Sequence, residues 1–211
     1  MKQLTTTLAF ITLAFSTSSF AISDAAKQLQ RQWDIAKYQT TDKKREEAFE
    51  KLAKQAKEAE QKSPDNAEVL VWEAIILSTY AGEKGGFGAL GLVKEAKSLL
   101  EKAEQIDANV LNGSAYTSLG TLYYQVPGWP VGFGSDKKAE KYLLKGLQIA
   151  PNDIDANYFY GDFLIEEGKY QKAITVLEKA LAAPARPDRK VADQGREEEV
   201  KALLAKAKRK L

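Results

Sequence analysis

The chain has 211 residues, of which 44% are hydrophobic and 28% charged, enough apolar material for a packed core and too much for a disordered protein. Lysine and arginine number 31 against 29 aspartate and glutamate, and a net charge of +2 supplies no field to draw nucleic acid or an anionic membrane surface. Histidine and cysteine are both absent, which excludes disulfides, imidazole and thiolate metal sites, thiol nucleophiles and every histidine-based triad.

What remains is a binding or scaffolding protein, or an enzyme limited to carboxylates, lysines and tyrosines; the composition calls for no cofactor and no metal. Met1-Lys2 gives a short basic start, Leu8 to Phe15 is apolar, and Ser19-Phe20-Ala21 puts small residues where a signal peptidase needs them. Residues 1–21 therefore read as a cleaved secretory leader. No other run approaches the roughly 18 apolar residues of a membrane helix, so the chain from Ile22 onward is expected to be a single helical domain, soluble in the periplasm or outside the cell. With no cysteine after the cleavage site it carries no lipoprotein anchor.

Hydrophobic periodicity predicts helices near 24–38, 43–62, 67–81, 91–106, 113–125, 136–149, 155–167, 170–183 and 193–209. Ala139, Leu143 and Gly146 recur 34 positions later as Ala173, Leu177 and Ala180, and Ala96, Leu100 and Ala103 show the same small-large-small pattern earlier. Ahead of these second helices lie matching first helices carrying Gly120 and Gly161, with a looser version around Ala74. Small residues at these places let two antiparallel helices approach closely, while Pro151 and Pro64 end second helices. The pattern resembles the tetratricopeptide repeat. That resemblance implies an all-α, tetratricopeptide-like α-solenoid of about four helix pairs plus a C-terminal capping helix. Residues 22–65 form a degenerate first pair, 66–186 the repeats and 187–211 the cap. The terminal helix is expected to bury one stripe, Val200, Leu203 and Leu204, and to solvate its other face.

Two insertions interrupt the repeats. From Gly120 to Ala139 there are 19 steps, and from Ala74 to Ala96 there are 22, where a standard repeat has about 12. The extra chain is Gln125–Ser135 in one case and Gly82–Leu92 in the other, and both read as loops at equivalent turns, emerging side by side from one edge. Pro127 and Pro130 stiffen the later loop, and Gly128, Gly132 and Gly134 are expected to supply backbone angles that other residues resist. Phe87, Trp129 and Phe133 each forfeit on the order of 1.5 to 3 kcal/mol if left in water, so they pack against the protein's own helices or against a ligand. Gly85-Gly-Phe-Gly88 lacks the lysine-containing ending of a phosphate loop.

On the concave face, the repeat numbering places Ser114, Thr117, Thr121 and Tyr124, then Asp155, Tyr158, Asp162 and Ile165. Such a groove is neutral to acidic and lacks the cations that grip a peptide's C-terminal carboxylate. Tyr124 and Tyr158 either meet a partly apolar ligand or peptide or simply fill the groove. Asp155 and Asp162, about 10 Å apart along one helix, are explained by surface solvation, and no nucleophile and base pair points to catalysis. The candidate binding residues are Phe87, Tyr124, Trp129, Phe133, Tyr158 and Asp162.

The leader, the degenerate repeats and the stretches Gly88–Ala96, Gly113–Gly134 and Asn157–Phe163 resemble periplasmic proteins grouped as the T component of TRAP transporters. The resemblance implies a noncatalytic accessory that forms homo-oligomers, contacts a substrate-binding protein and holds small apolar ligands. The alternative is a general protein-protein interaction scaffold of the cell envelope that works through its concave face.

Overall fold

The computed structural model describes residues 22–211, and the predicted leader lies outside them. Nine helices make up the described residues, with no strand among them: α1 (Asp24–Tyr38), α2 (Asp42–Lys62), α3 (Ala67–Lys84), α4 (Gly86–Ile106), α5 (Val110–Gln125), α6 (Asp136–Ile149), α7 (Ile154–Glu166), α8 (Tyr170–Leu181) and α9 (Lys190–Lys208). Helix starts are written in local chemistry. The side chains of Asn66, Ser135 and Asp153 accept hydrogen bonds from the first free backbone N–H groups of α3, α6 and α7. No helix among the described residues is long and apolar enough to cross a membrane.

Four hairpins, α1–α2, α3–α4, α5–α6 and α7–α8, stack in chain order, and their cores form a relay of apolar clusters in which each hairpin meets the next. The small residues act as the repeat requires. A methyl group at Gly120 would stand 2.6 Å from the Leu143 side chain and 2.9 Å from its backbone nitrogen, and one at Gly161 would stand 2.5 Å from Leu177. Gly120→Ala is therefore expected to cost about 1 to 3 kcal/mol by forcing α5 and α6 apart. Chemical denaturation would show this as a lower midpoint with an unchanged slope.

Three expectations need correction. The stretch Gly82–Leu92 is helical apart from its turn: α3 runs on to Lys84 and α4 begins at Gly86, so the extra residues lengthen a hairpin. Only Gly85 and Gly86, both at φ +62°, leave the helical path, a conformation that glycine adopts without strain. Thr117 and Ile165 do not line the concave face. Thr117 sits three residues before Gly120, on the same side of α5, and is buried, while Ile165 follows Gly161 by four and joins the α7–α8–α9 core.

The third correction concerns the cap. The C-terminal half of α9 behaves as predicted, with Val200 and Leu204 packed on the core of α7 and α8. Its N-terminal half keeps a solvated face at Lys190, Gln194, Glu197 and Glu198 but buries a second one through Ala192 and Arg196. That half and the segment leading into it cross the inner face and reach α1, where Lys27 bonds Asp188 at 3.3 Å and Gly195 lies against the Tyr38 ring. The first and last helices meet, and the solenoid is closed on itself.

Candidate functional site

The segment between α5 and α6 is a loop, as expected, and backbone hydrogen bonds tie its end back to its beginning. Ser135 N–H donates to the Tyr123 carbonyl at 2.7 Å and Gly134 N–H to the Pro127 carbonyl at 3.0 Å. Val131 and Gly132 both donate to the Gly128 carbonyl, at 3.2 and 3.1 Å. The Trp129-Pro130 peptide is cis. The expected role of the glycines changes: none of Gly128, Gly132 and Gly134 has a positive φ. Gly132 and Gly134 are required for space, because a side chain there would strike the carbonyls of Pro127 and Val126.

This fold-back separates the two rings of the loop. Phe133 turns inward and meets Tyr123 edge to face at 5.7 Å, with the Lys97 ammonium 5.8 Å above its ring. Tyr123 continues the stack to Tyr142 at 5.5 Å, and Tyr142 to Tyr116 at 6.1 Å. Phe133 is thus an anchor on the protein's own helices. Trp129 faces outward and is 90% exposed, Val131 beside it is 60% exposed, and Phe87 at the tip of the lengthened α3–α4 hairpin is fully exposed. Leu90, Leu92, Val93 and Phe133 all pack on the cluster that contains Val126, and Lys97 of α4 reaches the Phe133 ring, so the loop sits beside α4, the helix whose start carries Phe87. Val131 escapes prediction because nothing local distinguishes an outward valine from an inward one.

Tyr124, Tyr158 and Asp162 come together on the inner face. The Tyr124 hydroxyl donates to Asp162 Oδ2 at 2.7 Å. Burial, then the nearby Asp162 charge, pushes the Tyr124 hydroxyl far above its usual range. Burial also raises the Asp162 carboxyl, with the Tyr124 bond opposing. Tyr158 lies beneath the Arg196 guanidinium, 4.1 Å from it, and burial lifts its hydroxyl to about 12.

Residues absent from the predicted site dominate this face. Arg186, Arg189 and Arg196 enter it from the segment leading into α9 and from the first turns of that helix. Arg186 Nη1 bonds Asp155 Oδ2 at 2.7 Å, and Arg196 Nε bonds Asp155 Oδ1 at 2.7 Å. Arg189 bonds Asp34 of α1 at 2.5 Å and stacks on Trp72 of α3 at 5.2 Å. Asp193 and Glu199 complete the network through Arg186 and Arg196. Burial alone would raise the Asp155 carboxyl, but Arg196, Arg186 and Arg189 hold it well below the ordinary carboxylate range. Asp155 and Asp162 are accordingly partnered, partly buried groups rather than solvated surface acids, and the acids of the groove are met by three arginines rather than left open.

Helix hairpins on a 34-residue period, with small residues at the crossings and an inner face built from first helices, define a tetratricopeptide-type α-solenoid. The chain is similar in structure to TTC0263, a thermophilic TPR protein of Thermus thermophilus, with a TM-score of 0.55 and 21% identity over 87% of this chain and 91% of that one. It also matches MamA, at a TM-score of 0.45 and 21% identity over 80% of this chain and 92% of that one. YrrB, described as a TPR protein with an unusual peptide-binding site, matches at 0.43 and 19% identity, over 90% and 93%. No family model matches the chain, and no curated protein matches it. At these identities the likeness concerns the fold.

Proposed function

We propose that this protein is a noncatalytic interaction scaffold of the cell envelope, a periplasmic accessory of the TRAP T-component kind, which docks a partner protein through the edge bearing Trp129, Val131 and Phe87. The observation that carries the reading is Trp129, held 90% exposed on a loop whose two ends are tied together by backbone hydrogen bonds. Exposing an indole on an ordered loop leaves about 2 to 3 kcal/mol of burial unused, and a stiff loop loses little entropy when a partner covers it. Trp129, Val131 and Phe87 project from the surface, whereas a small apolar ligand needs a concavity that surrounds it. A partner protein therefore fits this edge better than a small molecule does. The leader-like sequence of residues 1–21 and the resemblance of the Gly113–Gly134 stretch support the envelope placement.

Photo-crosslinking in the native cell tests this directly. A benzophenone side chain at Trp129 is expected to trap a second protein, and one at the exposed Ala108, on the turn between hairpins, is not. Trp129→Ala should weaken retention of that protein at least tenfold with an unchanged melting temperature, as expected of a central aromatic anchor. Equal adducts from both positions, or full retention by the variant, would remove the edge from consideration. A trapped substrate-binding protein would support the TRAP assignment specifically.

A further inference from the structure

The inner face of the solenoid is occupied, and its occupant is informative. Three of the four first helices contribute to one site: Asp34 from α1, Trp72 from α3, and Asp155 with Tyr158 from α7. Each meets an arginine from the 186–196 segment. Arg196 is sandwiched by chemistry suited to a guanidinium, with the Tyr158 ring at 4.1 Å, the Phe159 ring at 4.9 Å and the Asp155 carboxylate at 2.7 Å. Arg189 repeats the arrangement with Trp72 and Asp34. A flat cation over an aromatic face with a carboxylate at its edge is a recognition geometry, used here twice within one segment.

We infer that the inner face is a binding surface for arginine-bearing segments, and that residues 186–196 are a tethered ligand which holds it closed until an arginine-bearing segment of a partner protein takes its place. The chain supports both halves of this statement. The segment follows Ala182-Ala183-Pro184-Ala185, a stretch outside any helix, so it is joined to α8 by a connection with no helical continuity. The contacts of α9 with the α7–α8 core, through Val200, Leu204 and Ala207, lie beyond the arginines, and within the arginine stretch only the small Ala192 is a buried apolar side chain, so that stretch is held mainly by charge and stacking. A tethered occupant acts at millimolar effective concentration, which keeps a weaker free competitor out. The groove lacks free cations for a carboxylate terminus because its own aspartates are already matched to arginine.

The probe is a fluorescein-labelled synthetic peptide of residues 183–200, titrated into full-length protein. The double variant Arg186→Ala/Arg189→Ala, which loosens the tethered segment but leaves Arg196 in place, is expected to bind the peptide at least tenfold more tightly than the unaltered protein. Adding Asp34→Asn to the double variant removes the carboxylate that the peptide's Arg189 would meet and should lower affinity for the peptide, and circular dichroism on both proteins confirms that helicity is retained. A peptide carrying Arg189→Ala should lose at least tenfold in affinity for the double variant, whose Asp34 and Trp72 have lost their own arginine. If the folded double variant binds the peptide no better than the unaltered protein does, or binds the singly substituted peptide equally well, the inference is overturned.

Discussion

Arg196→Ala is expected to lower the stability of the protein by about 3 to 5 kcal/mol, the range found when one member of a buried ion pair is removed. Arg196 is only 6% exposed, bonds Asp155 and Glu199, and separates the rings of Tyr158 and Phe159 from the opposing wall. Its loss leaves Asp155 with Arg186 and Arg189 but opens a space the size of a guanidinium between α7 and α9. Arg196→Lys should recover only part of the loss, because an ammonium cannot present the fork that meets Asp155 or stack on a phenol ring. The pH dependence gives an independent reading. Asp155 is held below its ordinary value of 3.8, so its contribution is fully present above that value and is lost as pH falls through the lower folded value. In the variant this acid-side loss should shrink, and urea unfolding measured between neutral pH and strong acid would show a shallower decline.

That network was beyond local reading. The helices were legible because their signals are short in range: capping residues such as Asn66 and Asp153, and small residues spaced to let Gly120 and Gly161 meet Leu143 and Leu177. The closure of the ring is different in kind. Arg189 finds Asp34 across 155 positions and Arg196 finds Asp155 across 41, and no repeat period encodes either pairing. The one available signal was the choice of residue. Arg186, Arg189 and Arg196 stand close together in a chain whose other basic residues are mostly lysine, and arginine is the side chain suited to partly buried, bidentate pairing.

The two insertions divide along a similar line. Glycine density made Gly82–Leu92 look like a loop, yet Gly82, Gly88 and Gly91 are helical, and the roughly 0.5 to 1 kcal/mol each costs is offset by the packing of Leu90, Leu92 and Val93 on the core. In the second insertion the presence and stiffness of a loop followed from Pro127, Pro130 and the glycines. Which ring faces inward did not, since Trp129 and Phe133 are equivalent as residue types and only the hydrogen bonds of Val131, Gly132 and Gly134 to the start of the loop decide it.

Glu73→Gln is expected to do the opposite of most core substitutions and stabilise the protein at pH 8, by on the order of 3 kcal/mol. Glu73 lies on α3 and is 1% exposed; Oε1 is 3.8 Å from Lys57 Nζ, while Oε2 has no hydrogen-bond partner. Lys57 is also claimed by Glu60 at 3.3 Å and Glu95 at 3.5 Å, so its charge is divided among three carboxylates. Burial raises the Glu73 carboxyl from 4.5 to about 7, against the pull of Lys57 and helped by Glu60 and Glu95. The folded protein therefore keeps this proton up to about pH 7, whereas the unfolded chain releases it near 4.5. Between those values the folded state binds more protons, so stability falls as pH rises, and the whole penalty stands above pH 7. Each pH unit across that interval is worth about 1.4 kcal/mol, which sets the expected gain. Glutamine has the same shape and no charge to desolvate, so the variant should melt higher than the parent at pH 8, come close to it near pH 4.5, and decline less steeply between the two. A variant that is destabilised at pH 8 would mean that the Lys57 contact outweighs the burial of the charge.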